Sequence, residues 1–213
     1  MPDIATIGGN DPGYLSVLKN TSISGTISFA AKVDYPAGSW PSSAAIGDID
    51  GDNKPDLIYA VSGTLSVLRN TSTTGSISFA AVVDFSIGSQ PKSSSIGDMD
   101  GDGKPDLVVA NYADNSISIL KNTSTTGSVS FSPKVDLNTG DQPMGASIND
   151  FVGNGKPDII VANGHNVVLF KNTSLSGAIS FAALENYSTA QPPECISTGD
   201  LNGDGKPDFA IAN

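Results

Sequence analysis

At 213 residues the chain is long enough for one domain or two small ones, with ample material for a buried core. Its 22 acidic against 11 basic residues give a formal charge of -11 and a pI near 4.2. That balance argues against nucleic acid or an anionic membrane as partner, since both call for a basic surface. The single cysteine, Cys195, excludes an intrachain disulfide and a cysteine-rich metal site, and reads as a small buried hydrophobe in a strand.

The first element is a short apolar run, Asp3-Ile4-Ala5-Thr6-Ile7, whose start aligns with Pro55-Asp56-Leu57-Ile58 and Pro105-Asp106-Leu107-Val108 further on. A Lys-Asn-Thr-Ser segment around Asn20 follows, then Gly25 and Phe29. From residue 43 a complete unit reads as four strands, Ser43–Asp48, Asp56–Val61, Thr64–Asn70 and Ser76–Asp84. The second strand of each unit is continuously apolar and expected to be buried on both faces. The third, as in Ser116-Ile117-Ser118-Ile119-Leu120, alternates and is expected to be half exposed. No stretch sustains a 3.6-residue apolar period, so almost no helix is predicted.

The unit recurs. Acidic loops begin at Asp48, Asp98, Asp150 and Asp200, in steps of 50, 52 and 50, and Asn20, Asn70, Asn122 and Asn172 keep the same steps. A period of about 40 to 50 residues holding four short strands predicts an all-β chain of four-stranded antiparallel β-propeller blades. Residues 1–213 then form a single propeller segment of about four repeats, part of a larger ring or an oligomer. The two ends cut the repeat at nearly the same place, which predicts a piece of a longer array or an unusual natural unit. Phe29, Phe79, Phe131 and Phe181 fall at one register of the fourth strand and are expected to plug the spaces between blades. Asn20, Asn70, Asn122, Asn172 and Asn186 match glycosylation sequons, but the repeat itself demands asparagine at the first four, so the sequons read as incidental.

The loops carry the chemistry. Asp48, Asp50, Asp52 and Asp56 occupy positions 1, 3, 5 and 9 of the loop 48–56, with Lys54 at position 7 offering a backbone carbonyl while its ammonium points to solvent. This alternation aims oxygen ligands at one hard cation, and calcium, which takes six to eight oxygens at about 2.3–2.6 Å, fits it best. Asp98, Asp100, Asp102, Lys104 and Asp106 repeat the set in loop 98–106; Asp200, Asn202, Asp204, Lys206 and Asp208 repeat it in loop 200–208 with one amide oxygen. In loop 150–158, Asp150, Asn154, Lys156 and Asp158 remain but Val152 replaces the second ligand, so that site is expected to be weak or empty. Helix-flanked calcium loops end in a glutamate at position 12, whereas Asp56 and Asp106 run straight into strands. Thirteen of the 22 acidic residues lie at these ligand positions, and three calcium ions would bring the formal charge from -11 to -5.

These residues resemble a known family. Ile96-Gly97-Asp98-Met99-Asp100-Gly101-Asp102-Gly103-Lys104-Pro105-Asp106-Leu107-Val108-Val109 is similar to the FG-GAP, or VCBS, repeat of integrin α-subunit propellers and of many secreted bacterial proteins. The resemblance implies a propeller, commonly of seven blades, with calcium between the first two strands of a blade. It also implies a role in adhesion or binding, some relatives being lectins.

A propeller meander puts the connectors between strands two and three, and between successive blades, on the face opposite the calcium loops. The repeats disagree there. Tyr14, Trp40, Tyr112 and His165 are candidates for a recognition surface suited to sugar rings or side-chain anchors. His165 is the sole histidine, no motif pairs it with a nucleophile, and the aspartates are committed to metal, so no enzymatic activity is expected. The expected function is a calcium-stabilised extracellular binding or adhesion module with a protein or glycan ligand, the alternatives being a lectin-like propeller or a structural spacer. Calcium sites of this kind fill where calcium is millimolar, which places the chain outside the cell or on its surface. No signal segment and no membrane-spanning apolar run is present, which is expected of a trimmed chain. Unpaired blade edges are expected to favour homo-oligomers.

Overall fold

In the computed structural model, which describes residues 2–182 and 185–213, all regular structure is β and no helix occurs among the described residues. Five antiparallel sheets follow one another along the chain. The first holds β1 (Ile4–Gly8), β2 (Gly13–Leu18) and β3 (Val33–Gly38). The second holds β4 (Ser43–Gly47), β5 (Asp56–Val61), β6 (Thr64–Leu68) and β7 (Val83–Ser86). The third repeats this plan with β8 (Pro91–Gly97), β9 (Asp106–Asn111), β10 (Ser116–Leu120) and β11 (Val135–Asn138). The fourth follows with β12 (Pro143–Asn149), β13 (Asp158–Asn163), β14 (Asn166–Phe170) and β15 (Glu185–Ser188). The fifth has two strands, β16 (Cys195–Gly199) and β17 (Asp208–Ala212).

Every sheet is a simple meander in which sequence neighbours pair, as Leu57↔Leu68 and Leu65↔Phe85 do in the second. The cores lie between consecutive sheets. Leu15, Val17, Leu57 and Tyr59 join the first sheet to the second, Ile58, Val67, Leu107 and Val109 the second to the third, and Val108, Ile117, Ile159 and Val168 the third to the fourth. No sheet can bury both its faces alone, so each repeat depends on its neighbours. The second strands β5, β9 and β13 are buried as their apolar runs require.

The structure corrects three readings. The third strand is fully buried in β10, because it is interior to its sheet and its alternate serine is satisfied internally: Ser118 Oγ donates to Asp136 Oδ1 at 2.7 Å and accepts from Asn111 Nδ2 at 2.8 Å. The fourth strand of the second sheet is Val83–Ser86, displaced from the expected Ser76–Asp84. Residues 70–79 instead form a separate hairpin lobe, closed by the bridges Asn70↔Phe79 and Thr73↔Ser76, and equivalent lobes lie at 20–29, 122–131 and 172–181. The turn at each tip needs positive φ, supplied by Gly75 at 88° and Gly127 at 86°. Cys195, finally, is exposed, because β16 is covered on fewer sides than its counterparts. Phe79 and Phe131 do plug the spaces between sheets, though from the lobes: Phe79 meets Tyr35 edge-on at 5.2 Å and Phe131 meets Phe85 at 4.8 Å, each across a sheet boundary, whereas Phe181 meets Phe170 of its own sheet.

Candidate metal centres

The four acidic loops share one hydrogen-bond scheme that follows from their spacing. In loop 48–56 the Asp48 carboxylate accepts the N–H groups of Gly51, Asp52 and Asn53 at 2.8–3.1 Å, closing the turn on itself. Asp56, at the start of β5, accepts the Ile49 N–H on Oδ2 at 2.9 Å and the Asn70 N–H on Oδ1 at 2.7 Å. Loop 98–106 repeats these bonds with Asp98, and with Asp106 accepting from Met99 and Asn122. Asp200 organises its loop in the same way. Asp150 keeps the bonds from Asn154 and Gly155, while the Val152 N–H turns to Asp158 at 3.1 Å, so most of the loop shape persists without the ligand.

Carboxylate oxygens converge in two of the loops. One oxygen each from Asp48, Asp50 and Asp56 lie within 4.8 Å of one another, and Asp98, Asp100 and Asp106 do the same. An all-oxygen, all-anionic donor set of that size could hold a hard divalent cation. Asp52 and Asp102 stand at the edge of these groups, beside Lys54 at 3.8 Å and Lys121 at 3.0 Å. The other loops differ. Each lacks one carboxylate of the converging trio, Val152 and Asn202 standing where Asp50 and Asp100 do. Loop 150–158 lacks a ligand at Val152; loop 200–208 is more exposed, and no following repeat packs on it among the described residues. The lysine at position 7 also departs from its expected solvent orientation, Lys104 and Lys156 donating to the carbonyls of Ser124 and Ser174 at 2.8 and 2.6 Å.

The hairpin lobes had no role in the sequence reading beyond a turn, yet they complete these centres. Asn122 Nδ2 reaches back one repeat to the Ile49 carbonyl at 2.9 Å, and Asn172 Nδ2 reaches the Met99 carbonyl at 2.7 Å. The Gly127 N–H donates to Asp50 Oδ2 at 2.9 Å, again across the boundary. Lys121, just before Asn122, places its ammonium against Asp100 and Asp102, and Arg69 approaches Asp50 at 3.9 Å. The shared 50-residue step of loop and Asn-Thr-Ser segment was the available signal. Their buried amides also leave Asn122 and Asn172 no room as glycan acceptors.

Burial dominates the titration of the last ligand. It pushes Asp106 up to about 6, against the Asn122 and Met99 N–H groups that favour the charged form, with the Asp100 and Asp102 charges adding to the rise. Asp56 is raised for the same first reason. At exposed Asp200 the N–H of Gly205 leads the causes that lower its pKa. A carboxylate whose pKa is raised by folding contributes stability below its unfolded pKa and loses it as pH rises through the folded value. Metal-free protein should therefore gain stability from Asp106 and Asp56 as pH falls from about 7 toward 4, and cation affinity should fall over the same window because the ligand must be ionised. Melting temperature against pH with and without cation checks this: parallel curves would refute it.

Away from these loops, the connectors between sheets meet those between the second and third strands of a repeat. The Trp40 N–H donates to the Asn10 carbonyl at 2.7 Å, Tyr112 to Gln90 at 3.1 Å, and Thr189 to His165 at 2.9 Å. Trp40 is 64% exposed with φ at 59°, and Tyr14 is 40% exposed on β2. Tyr112 is half-buried with the Lys92 ammonium 5.2 Å from its ring centre, and His165 is exposed. Tyr14 lies on β2 of the first sheet and Trp40 on the connector from β3 to β4, while Tyr112 and His165 lie on the connectors within the third and fourth sheets.

Solved structures share this fold. An exotype rhamnogalacturonan lyase, YesX, is 14% identical with a TM-score of 0.52, over 96% of this chain and 47% of that one. The rhamnogalacturonan lyase of Bacillus licheniformis is 13% identical with a TM-score of 0.51, over 95% and 48%, and the lyase YesW is 15% identical with a TM-score of 0.51, over 96% and 49%. The chain thus spans about half the length of each, and the likeness is one of fold. It corrects the expectation that this chain is not an enzyme, since solved chains of this fold include lyases. No curated protein sequence matches the chain. The model of the FG-GAP-like repeat matches four times, at residues 1–59, 48–109, 98–161 and 150–211, the last three each running from one acidic loop into the next, and the chain belongs to that repeat family.

Proposed function

We propose that the chain is an arc of a calcium-stabilised β-propeller that works outside the cell as a binding module, with calcium in the loops and the ligand on the face of Tyr14 and Trp40. The observation that carries this reading is the recurrence of one carboxylate cluster at the same point of two consecutive repeats. A cation there neutralises charges that otherwise repel, and it fixes the connection between the first two strands of each repeat. The lobes pass that order to the next sheet through Asn122 and Asn172.

The ligand class follows from the aromatic pair and from the relatives. Exposed Trp40 and Tyr14 offer aromatic faces of the kind that suit sugar rings. The three solved structures of this fold are named for action on rhamnogalacturonan, which favours a carbohydrate over a protein ligand. Probing the whole chain against a glycan array that includes rhamnogalacturonan, with calcium and with a chelator, tests the reading. Calcium-dependent binding that Trp40→Ala reduces at least tenfold is the expected result. Binding to extracellular proteins alone would move the ligand class, and binding indifferent to both chelator and Trp40→Ala would overturn the site.

A further inference from the structure

The asparagine of the fifth sequon, Asn186-Tyr187-Ser188, sits unlike the other four. Asn20, Asn70, Asn122 and Asn172 each spend Nδ2 on a backbone carbonyl, that of Pro2, Pro55, Pro105 and Pro157 at 2.6–2.9 Å, and the last two reach a second carbonyl across a sheet boundary. A sugar on any of those nitrogens would break the lobe it closes. Asn186 stands instead on β15, the outermost strand of the fourth sheet, where it is exposed and its amide has no hydrogen-bond partner among the described residues.

A paired substitution frees this side chain. The residues at the same register of β3, β7 and β11 are Asp34, Asp84 and Asp136, and each accepts a hydroxyl from the serine opposite it on the neighbouring strand: from Ser16 at 2.5 Å, Ser66 at 2.7 Å and Ser118 at 2.7 Å. In the fourth sheet both members change, and fully buried Val168 stands opposite Asn186. Valine offers no hydroxyl, so the bond that straps down the outer strand in three repeats is missing and the amide is released. Val168 packs with Val108 and Ile117 of the third sheet, and cross-strand partners share a face, so Asn186 rises from the margin of a boundary that is already filled. Its exposure is set by the third sheet, which precedes it in the chain.

The rest of the sequon is placed to match. Side chains two apart along a strand lie on one face, so Ser188 shares the face of Asn186, and it too is exposed. Glu185 and Tyr187 alternate to the other face, where the Tyr187 hydroxyl donates to Glu185 at 3.0 Å and Lys171 pairs with Glu185 at 2.5 Å, so neither contact crowds the amide.

We propose that Asn186 is an acceptor of N-linked glycan, the one sequon of the five whose modification the fold accommodates. The donor is a lipid-pyrophosphate-linked oligosaccharide. Asn186 Nδ2 attacks its anomeric carbon, the N–C bond forms as the C–O bond to phosphate breaks, the pyrophosphate leaves with the bonding electrons, and the amide gives up one proton to a base of the transferase. Transfer takes place on the extended chain, where all five sequons are open, and the fold then selects: a sugar at Asn122 or Asn172 leaves two backbone carbonyls without their donor. The assignment rests on the extracellular location proposed for the chain. A glycan on β15 also shields the outer edge of the sheet, which has no strand partner.

The whole chain, led into a eukaryotic secretory pathway behind a cleavable leader and recovered folded, tests this by intact mass and peptide mapping before and after peptide-N-glycosidase treatment. One oligosaccharide per chain is expected, and the glycosidase should leave aspartate at position 186 and asparagine at 20, 70, 122 and 172. Asn186→Gln and Ser188→Ala each should abolish the modification, the second while keeping the asparagine itself; Ser188→Thr should retain it. The wild-type peptide map decides the site even if a variant folds poorly. A folded chain without glycan, a glycan at one of the other four asparagines, or a modification that persists in Ser188→Ala would each overturn the proposal. Glycan-array binding is read on chain made in a host without this transferase, so that the ligand face and the acceptor site can fail separately.

Discussion

Asn122→Ala is expected to destabilise the protein by about 3–5 kcal/mol, because three buried or half-buried backbone groups lose their partner at once, each at a cost of about 1–3 kcal/mol with some relaxation between them. The side chain donates to the Ile49 and Pro105 carbonyls and accepts the Ser124 N–H at 2.8 Å. One of those bonds crosses a sheet boundary, so the loss is felt in two repeats. For a chain of this size that is a drop in melting temperature of about 10 °C. Asn20→Ala provides the contrast: Asn20 makes the local bonds to Pro2 and Ser22 and none across a boundary, so about 1 kcal/mol is expected. Urea unfolding with an unchanged slope measures both. Equal effects at Asn20 and Asn122 would show that the lobe asparagine acts only within its own turn.

That pair of residues also shows what the sequence could reveal. A fixed step of 50 or 52 residues placed the loops, the second strands and the lobe asparagines in register, and all-β sheets followed from it. The period says which residues are equivalent, but not which repeat an equivalent residue touches. Asn122 was legible as a turn residue because Asn-Thr-Ser is turn chemistry; its bond to Ile49 depends on how one sheet leans on the next. The strand boundary at Ser76 failed for a related reason. The Ser-Ile-Ser-Phe pattern alternates like a strand, and residues 76–79 do make bridges, but with their own hairpin at Asn70 and Thr73 rather than with the sheet. Likewise Ser116-Ile117-Ser118 alternates as a half-exposed strand would, yet Asp136 and Asn111 satisfy Ser118 and allow the polar face to be buried. Ligand spacing made loops 48–56 and 200–208 look nearly equal apart from Asn202, and packing separates them further, since Ile49 is covered by the next lobe and Leu201 is not.

Chelation is the other large effect, and it should separate those loops. Saturating calcium at a hundredfold over its dissociation constant stabilises a protein by about 2.7 kcal/mol per site. Two filled sites then contribute about 5 kcal/mol, so a chelator should lower the melting temperature by about 10–20 °C. Native mass should count two ions per chain at modest calcium, with a third only at higher calcium, because three carboxylates converge in loops 48–56 and 98–106, whereas loop 200–208 has the neutral Asn202 in place of one of them and is exposed. Asp56→Asn and Asp106→Asn should each remove one ion and about half of the shift. Lys121 distinguishes the two sites further. Its ammonium sits on Asp100 and Asp102, where it compensates their charge without metal and opposes a cation that arrives. Lys121→Met is therefore expected to lower the metal-free melting temperature while tightening calcium binding at loop 98–106 about tenfold, a change of about 1.4 kcal/mol. Calorimetric titration reads the affinity and a melt reads the stability, so the opposite signs are visible in one variant. If Lys121→Met weakened calcium binding, the lysine would be supporting the loop's shape, and the cation would have to sit away from Asp100.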